Sequence, residues 1–140
     1  MAVTLRTFAF PDDYAAVIEL WENAGPGVHV HRSDSFDEIQ KKLSRDPELF
    51  LVAEDDGRII GAVMGGFDGR RGMIYHLAVE TKYRGRGIGA LLMQEIENRL
   101  KAAGCIRSYL FVTADNQEVV DFYVGQGWEQ MTILPFGKNL

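Results

Sequence analysis

Three glycines in six residues, Arg84-Gly85-Arg86-Gly87-Ile88-Gly89, join an apolar run over 73–79 to a helical pattern over 88–103. This junction constrains the fold more than any other stretch of the chain. Ile88, Leu91, Leu92, Ile96 and Leu100 recur at helical spacing, and Gly104 ends the pattern. A strand that turns sharply into a helix leaves backbone N–H groups without intrahelical partners. Those donors and the positive end of the helix dipole suit a phosphate. Glycine removes the Cβ that would hold an anion away, and it tolerates positive φ. Arg84 and Arg86 add positive charge at the mouth of the loop. The segment reads as a pyrophosphate cradle.

Two rival readings are weaker. A ligand-free turn would need one glycine, and three cost backbone entropy on folding. A dinucleotide-binding turn wants an acidic residue about 20 positions on, at the end of the next strand. Here no acidic residue follows the 106–113 run until Asp115. A P-loop is excluded because no Gly-Lys-Ser/Thr follows the glycines.

The remainder alternates strand and helix signals. Residues 3–8 alternate apolar and polar side chains, as a half-buried strand does. Pro11-Asp12-Asp13 opens a helix carrying Tyr14, Val17, Ile18 and Trp21 on one face, and Gly25-Pro26-Gly27 stops it. Ser35-Phe36-Asp37-Glu38 has the capping-box form, so a second helix runs to about Arg45. Strands over 49–54 and 59–64 flank a hairpin turn centred on Asp56-Gly57. A loose glycine-rich connection over 65–72 precedes the 73–79 strand. A strand over 106–113, a helix over 116–124 and a final strand over 128–134 complete the prediction. The strands near Leu77 and Leu110 bracket the long helix and are expected to run parallel.

At 140 residues the chain has the size of one domain, 1–140, and 46% hydrophobic composition supplies a proper core. A net charge of −5 argues against nucleic acid as a general partner. The single cysteine, Cys105, rules out an intrachain disulfide framework and reads as a small buried residue. No apolar run approaches the roughly 20 residues that span a membrane, and no leader is evident at the start. A cytoplasmic location is expected.

The glycine loop carries a family resemblance. Arg84-x-x-Gly87-x-Gly89 resembles the acyl-CoA loop of the GNAT N-acetyltransferases, and Leu77-Ala78-Val79 resembles their central strand. A second match lies in Asn116-x-x-Val119-x-x-Phe122-Tyr123-x-x-x-Gly127-Trp128. With Phe50 to Glu54 and Gly61 to Gly66 resembling the two strands before the central one, the resemblance covers essentially the whole chain, and the similarity is greatest to the small bacterial YpeA-like group. The resemblance implies one acyl-CoA N-acyltransferase domain of α/β (α+β) class. Its sheet would be mixed and centrally splayed, with six or seven strands and about four helices on its two faces. It implies an enzyme that moves an acetyl group from acetyl-CoA to a primary amine by direct attack in a ternary complex. An acyl-CoA-binding sensor without catalysis is the alternative. Homodimers are common in the family.

The same resemblance assigns site residues. The loop of Arg84, Gly85, Arg86, Gly87, Ile88, Gly89 and Ala90 would hold the pyrophosphate. The backbone of Leu77, Ala78 and Val79 would pair with the pantetheine arm, and an N–H near Leu77 would polarise the thioester carbonyl. Asn116 has two compatible readings, a helix cap or a hydrogen bond to that arm. Tyr123 would protonate the leaving thiolate, since a phenol with an ordinary pKa of about 10 keeps its proton at neutral pH. Several family members place a carboxylate early in the central strand, where this chain has Met73. Tyr75 is therefore the favoured base, acting through a water chain, and Glu54 is a further candidate. Strand alternation puts Tyr75 on the face of Met73 and Leu77, with His76 opposite, unless a bulge intervenes. His29 and His31 form a His-x-His pair with no third ligand evident, so no metal is expected. They line the acceptor pocket or sit on an exposed loop.

Overall fold

The computed structural model describes residues 2–140. Five strands form one sheet in the order β1-β2-β3-β4-β5: Val3–Thr7, Phe50–Asp55, Arg58–Phe67, Gly72–Val79 and Ser108–Leu110. The first four pair antiparallel, and β4 pairs β5 in parallel. Helices α1 (Tyr14–Glu22) and α2 (Phe36–Arg45) follow β1, α3 (Ile88–Ala102) crosses from β4 to β5, and α4 (Val120–Gly125) comes last.

The local signals act as expected at several points. Asp56 and Gly57 both adopt positive φ, 51° and 77°, the conformation a tight hairpin demands. Ser35 caps α2 by accepting the Glu38 N–H at 3.3 Å. Asp13, at the start of α1, takes the Ala9 N–H at 2.7 Å and a two-pronged contact from Arg6 at 2.6 and 3.0 Å.

β2 is buried on both faces, so its residues alternate between two cores. Leu51 and Ala53 join Leu92, Met93 and Ile96 of α3 on one side of the sheet. Phe50 and Val52 join Val17, Leu20 and Trp21 of α1 and Ile39 of α2 on the other. Phe50 stacks between Phe8 and Trp21, with ring centroids 4.2 and 5.8 Å away.

Three expectations need correction. β3 runs through Gly65 and Gly66, where a loose connection was expected. Two glycines of β3 serve close approach: a Cβ at Gly65 would lie 3.1 Å from Ile96, and one at Gly61 3.1 Å from Leu92. Helix α3 therefore lies close upon β3, which fixes where its N-terminus stands. β5 covers three residues instead of eight, because β4 turns away after Ile74 and removes its partner. No strand forms over 128–134. Ile133 and Leu134 are exposed there, so burial gives the segment no face to pair on. The described sheet thus has five strands where six or seven were expected.

Candidate active site

β4 and β5 share only the pairs Gly72–Ser108, Met73–Tyr109 and Ile74–Leu110. Beyond them the two strands part. The gap is a cleft of about 710 Å³, lined from Met73 to Val79 on one side and from Leu110 to Thr113 on the other. Its floor is an open strand edge, so unpaired backbone groups of β4 face the space.

One end of the cleft is built from backbone. Gly85 and Gly87 hold φ of 77° and 80°, and nothing lies within 4 Å of where their Cβ atoms would be. Gly87 is the N-cap of α3, and its carbonyl accepts the Leu91 N–H at 3.1 Å. The N–H groups of Ile88, Gly89 and Ala90 in the first turn are left for another acceptor. No acidic side chain stands in that turn to compete for them. Ile88 itself is buried in the core, so only its main chain can contribute.

Arg84 also has a structural part. Its guanidinium donates to the Val79 carbonyl at 3.0 Å and the Ala24 carbonyl at 2.6 Å. It braces the end of β4 against the end of α1 and keeps its charge beside the cleft. The Arg86 guanidinium lies 5.3 Å from the centre of the Tyr83 ring.

The middle of the cleft pairs strand against helix. Ala78 and Val79 pair with Ala62 and Gly61 of β3, which leaves their other edge open to the cleft. Opposite stand Phe122 and Tyr123 of α4, with rings 5.2 Å apart. Burial pushes the Tyr123 phenol up to about 12. Asn116 is not a helix cap. It sits inside a 3-10 stretch, Ala114–Val119, with non-helical φ and ψ of −132° and 40°. Its side chain packs on Gly27, where any Cβ would overlap it. The loop after α1 and the wall of the cleft meet at this point.

The other end is built from side chains. β4 carries an extra residue here: Ala62 faces Ala78 and Met64 faces Tyr75, two steps on β3 against three on β4. The bulge falls at His76, whose φ is +52°. Alternation is broken as a result. Leu77 packs on the α3 side of the sheet, and Ala78 joins the α1 and α2 side. Tyr75 and His76 both lie on the α1 and α2 side, so Tyr75 does not share a face with Leu77. A Cβ on Gly66 would lie 3.6 Å from the Tyr75 ring, and the His76 ring packs 4.7 Å from Trp21. Burial, with the nearby charge of Asp46, pushes the Tyr75 phenol up, which opposes its use as a base. Glu54 is paired with Arg6 at 3.2 Å and does not line the cleft.

His29 and His31 line the cleft mouth. His29 Nε2 lies 3.0 Å from Asp115 of the opposite wall. Sequence reasoning missed one constellation. Asp34, only 2% exposed, accepts the His31 N–H at 3.0 Å and meets His76 Nε2 at 3.0 Å. Burial pushes the Asp34 carboxyl up, but the hydrogen bonds from the His76 ring and the His31 backbone, with electrostatic attraction to both side chains, hold it below the ordinary carboxylate range. The Tyr14 hydroxyl holds the Asp34 carbonyl at 2.8 Å, and Trp21 Nε1 holds the His76 carbonyl at 3.1 Å. Only the bulge brings His76 to Asp34, and no local pattern announced it.

Anion-ready amides at one end, an open strand edge between and titratable side chains at the other make a site for a long phosphorylated carrier. A family model described as the Acetyltransferase (GNAT) family matches residues 14–128. The chain belongs to the GNAT family. It is 43% identical over 129 residues to an acetyltransferase of Pectobacterium atrosepticum, covering 92% of this chain and 90% of that one. A Yersinia pestis protein described as an uncharacterized N-acetyltransferase is 42% identical over 129 residues, with the same coverage. The fold is similar to PaiA N-acetyltransferase from Thermoplasma acidophilum, solved in complex with coenzyme A. That match has a TM-score of 0.77 at 20% identity, covering 89% of this chain and 88% of that one. This GNAT enzyme transfers an acetyl group from acetyl-CoA. Its glycine loop fits that cosubstrate, because the space at Gly85 and Gly87 is open where any Cβ would intrude. Among the described residues no helix is long and apolar enough to cross a membrane.

Proposed function

We propose that this GNAT enzyme acetylates a primary amine by direct attack within a ternary complex, as one acyltransferase domain over 1–140. The observation that carries the reading is the cleft between β4 and β5, backbone-built at one end and lined by histidines and Tyr75 at the other. The loop of Gly85, Arg86, Gly87, Ile88, Gly89 and Ala90 binds the pyrophosphate through main-chain N–H groups. Arg84 holds the loop in place. The main chain of Leu77, Ala78 and Val79 aligns the pantetheine arm and thioester. Asn116 contributes to the arm's wall. Tyr123 gives its proton to the departing sulfur, and its raised pKa supports a phenol that is protonated when needed. Tyr75, whose phenol burial keeps protonated, donates a hydrogen bond to water along the amine's path and does not take the proton.

Cys105 is buried among Leu100, Ile74 and their neighbours, away from the cleft, which favours direct attack over a covalent intermediate. A net charge of −5 favours a cationic small molecule or peptide amine over nucleic acid. The assembly we propose is a homodimer, supported by the exposed apolar side chains Leu134, Phe136 and Leu140 near the C-terminus. A cytoplasmic location is proposed because acetyl-CoA is supplied there. The deciding experiment incubates the protein with acetyl-CoA and a panel of polyamines, amino acids, aminoglycosides and peptides. Thiol release above hydrolysis with a primary amine supports the reading. Binding of acetyl-CoA with no release for any amine would replace it with a non-catalytic sensor.

A further inference from the structure

From the buried contact between Asp34 and His76 at the β4 bulge, we infer that His76 Nδ1 is the base that takes the proton from the acceptor amine. The inference rests on the amine-transfer reading of the same cleft. An ionised carboxylate can only accept hydrogen bonds. Asp34 is such an acceptor, already holding the His31 N–H, so the hydrogen between Asp34 and His76 belongs to Nε2. In the uncharged ring the lone pair then resides on Nδ1.

That nitrogen has no protein partner among the described residues. No unpartnered side-chain nitrogen or oxygen among them is sealed from solvent, so Nδ1 has an opening, and His76 lines the cleft. Carboxylate, imidazole and working nitrogen stand in the order of a hydrolase triad, with the two ring nitrogens exchanged. The arrangement is rigid. The ring lies against Trp21, the His76 carbonyl is held by Trp21 Nε1, and the Asp34 carbonyl by the Tyr14 hydroxyl. A non-glycine residue held at φ +52° needs a surrounding structure that over-determines it.

The step balances. An alkylammonium gives one proton to Nδ1, directly or through one water. The freed nitrogen pair forms the C–N bond to the thioester carbon, the C–S bond breaks, and the sulfur takes the proton of Tyr123. The nitrogen, now bonded to the acyl carbon, gives up a second proton, which restores Tyr123, and His76 returns the first to solvent, for a net release of one proton per turnover. The groups that share the surroundings of His76 are Asp34, His31, Tyr75 and Tyr14, with Tyr123 across the cleft.

The test compares the parent with His76→Asn, since asparagine accepts positive φ readily. The amine is whichever panel member the parent acetylates fastest. At pH 7 the variant should lose about a hundredfold or more in turnover number while acetyl-CoA affinity is kept. Its rate should then climb about tenfold per pH unit toward the amine's own pKa, near 10.4, because the free amine no longer needs a base. A variant within threefold of the parent, or one reduced equally at every pH, overturns the inference. Should the variant not fold, nitrogen NMR on the histidine-labelled parent decides: an Nε2–H tautomer supports the base and an Nδ1–H tautomer overturns it. A parent that releases no thiol with any amine overturns the amine-transfer reading, and the base falls with it. A parent that transfers while His76→Asn matches it overturns the base alone.

Discussion

The two ends of the cleft are made of different material. At the α3 end the groups turned to the cleft are main-chain N–H groups, placed by Gly85 and Gly87 at positive φ. At the β4 bulge they are side chains, placed by contacts between residues 42 positions apart, His76 and Asp34. Backbone amides are common to every residue, so the first end suits a cosubstrate shared by a whole family. Side chains differ in reach and charge, and in the proposed reading the second end is where this chain chooses its acceptor. The boundary between them is the wall of α4, and the largest expected effect lies there. Tyr123→Phe should lower the turnover number by about 10²- to 10³-fold, the scale of one positioned proton donor. Acetyl-CoA affinity should move less than about threefold, because the phenyl ring still fills the wall. A turnover number within threefold of the parent would remove Tyr123 from the chemistry.

The next effect tests the backbone end alone. Gly87→Glu places a carboxylate at the anion site and a Cβ at φ +80°. Acetyl-CoA affinity should fall at least about a hundredfold, or about 2.7 kcal/mol, by calorimetry. An unchanged affinity would show that the loop does not hold the diphosphate, and the contrast between the two ends would collapse.

How far each end could be read from the sequence follows from the same difference. Glycine spacing is local, so the strand, the glycine turn and the helix that follows it were legible. The capping box at Ser35 and the Asp56-Gly57 turn were legible for the same reason. Tyr75 and Leu77 were expected on one face because strand alternation assumes equal steps on both strands. β4 takes three steps where β3 takes two. Asp34 gave no signal, since its partner is distant in the chain. Arg84 was read for its charge, and its bracing of two carbonyls 60 and 5 residues away left no local signal. The segment over 128–134 was expected to be a final strand, and it has apolar residues. Content without a partner edge does not make a ladder, and that segment stays exposed.

Acid should separate the ends further. Despite burial, the hydrogen bonds and charges of His76 and His31 lower the Asp34 pKa. The stability that these contacts contribute is therefore complete above the ordinary carboxylate pKa of about 3.9 and is lost as pH falls below it. Urea unfolding between pH 3 and pH 7 should show a downward slope at the acid end. Asp34→Asn should flatten that slope and cost about 1–3 kcal/mol at pH 7, where a buried acceptor is replaced. An unaltered slope would mean that Asp34 is not held by His76 in solution.

The smallest effect is expected from the third glycine of the loop, and it sharpens the account of the first two. Gly89 lies inside α3, outside the positive-φ region. A Cβ there would sit 3.5 Å from Phe122, an ordinary contact. Gly89→Ala should therefore leave acetyl-CoA affinity within about threefold and raise stability by about 0.4–1 kcal/mol, as the unfolded chain loses freedom. Gly87→Ala, by contrast, meets open space but must hold φ at +80°, so it should destabilise by about 1–2 kcal/mol. Thermal melts of the two variants read the difference. If both glycines respond alike, crowding at the anion rather than backbone conformation is what glycine supplies in this loop.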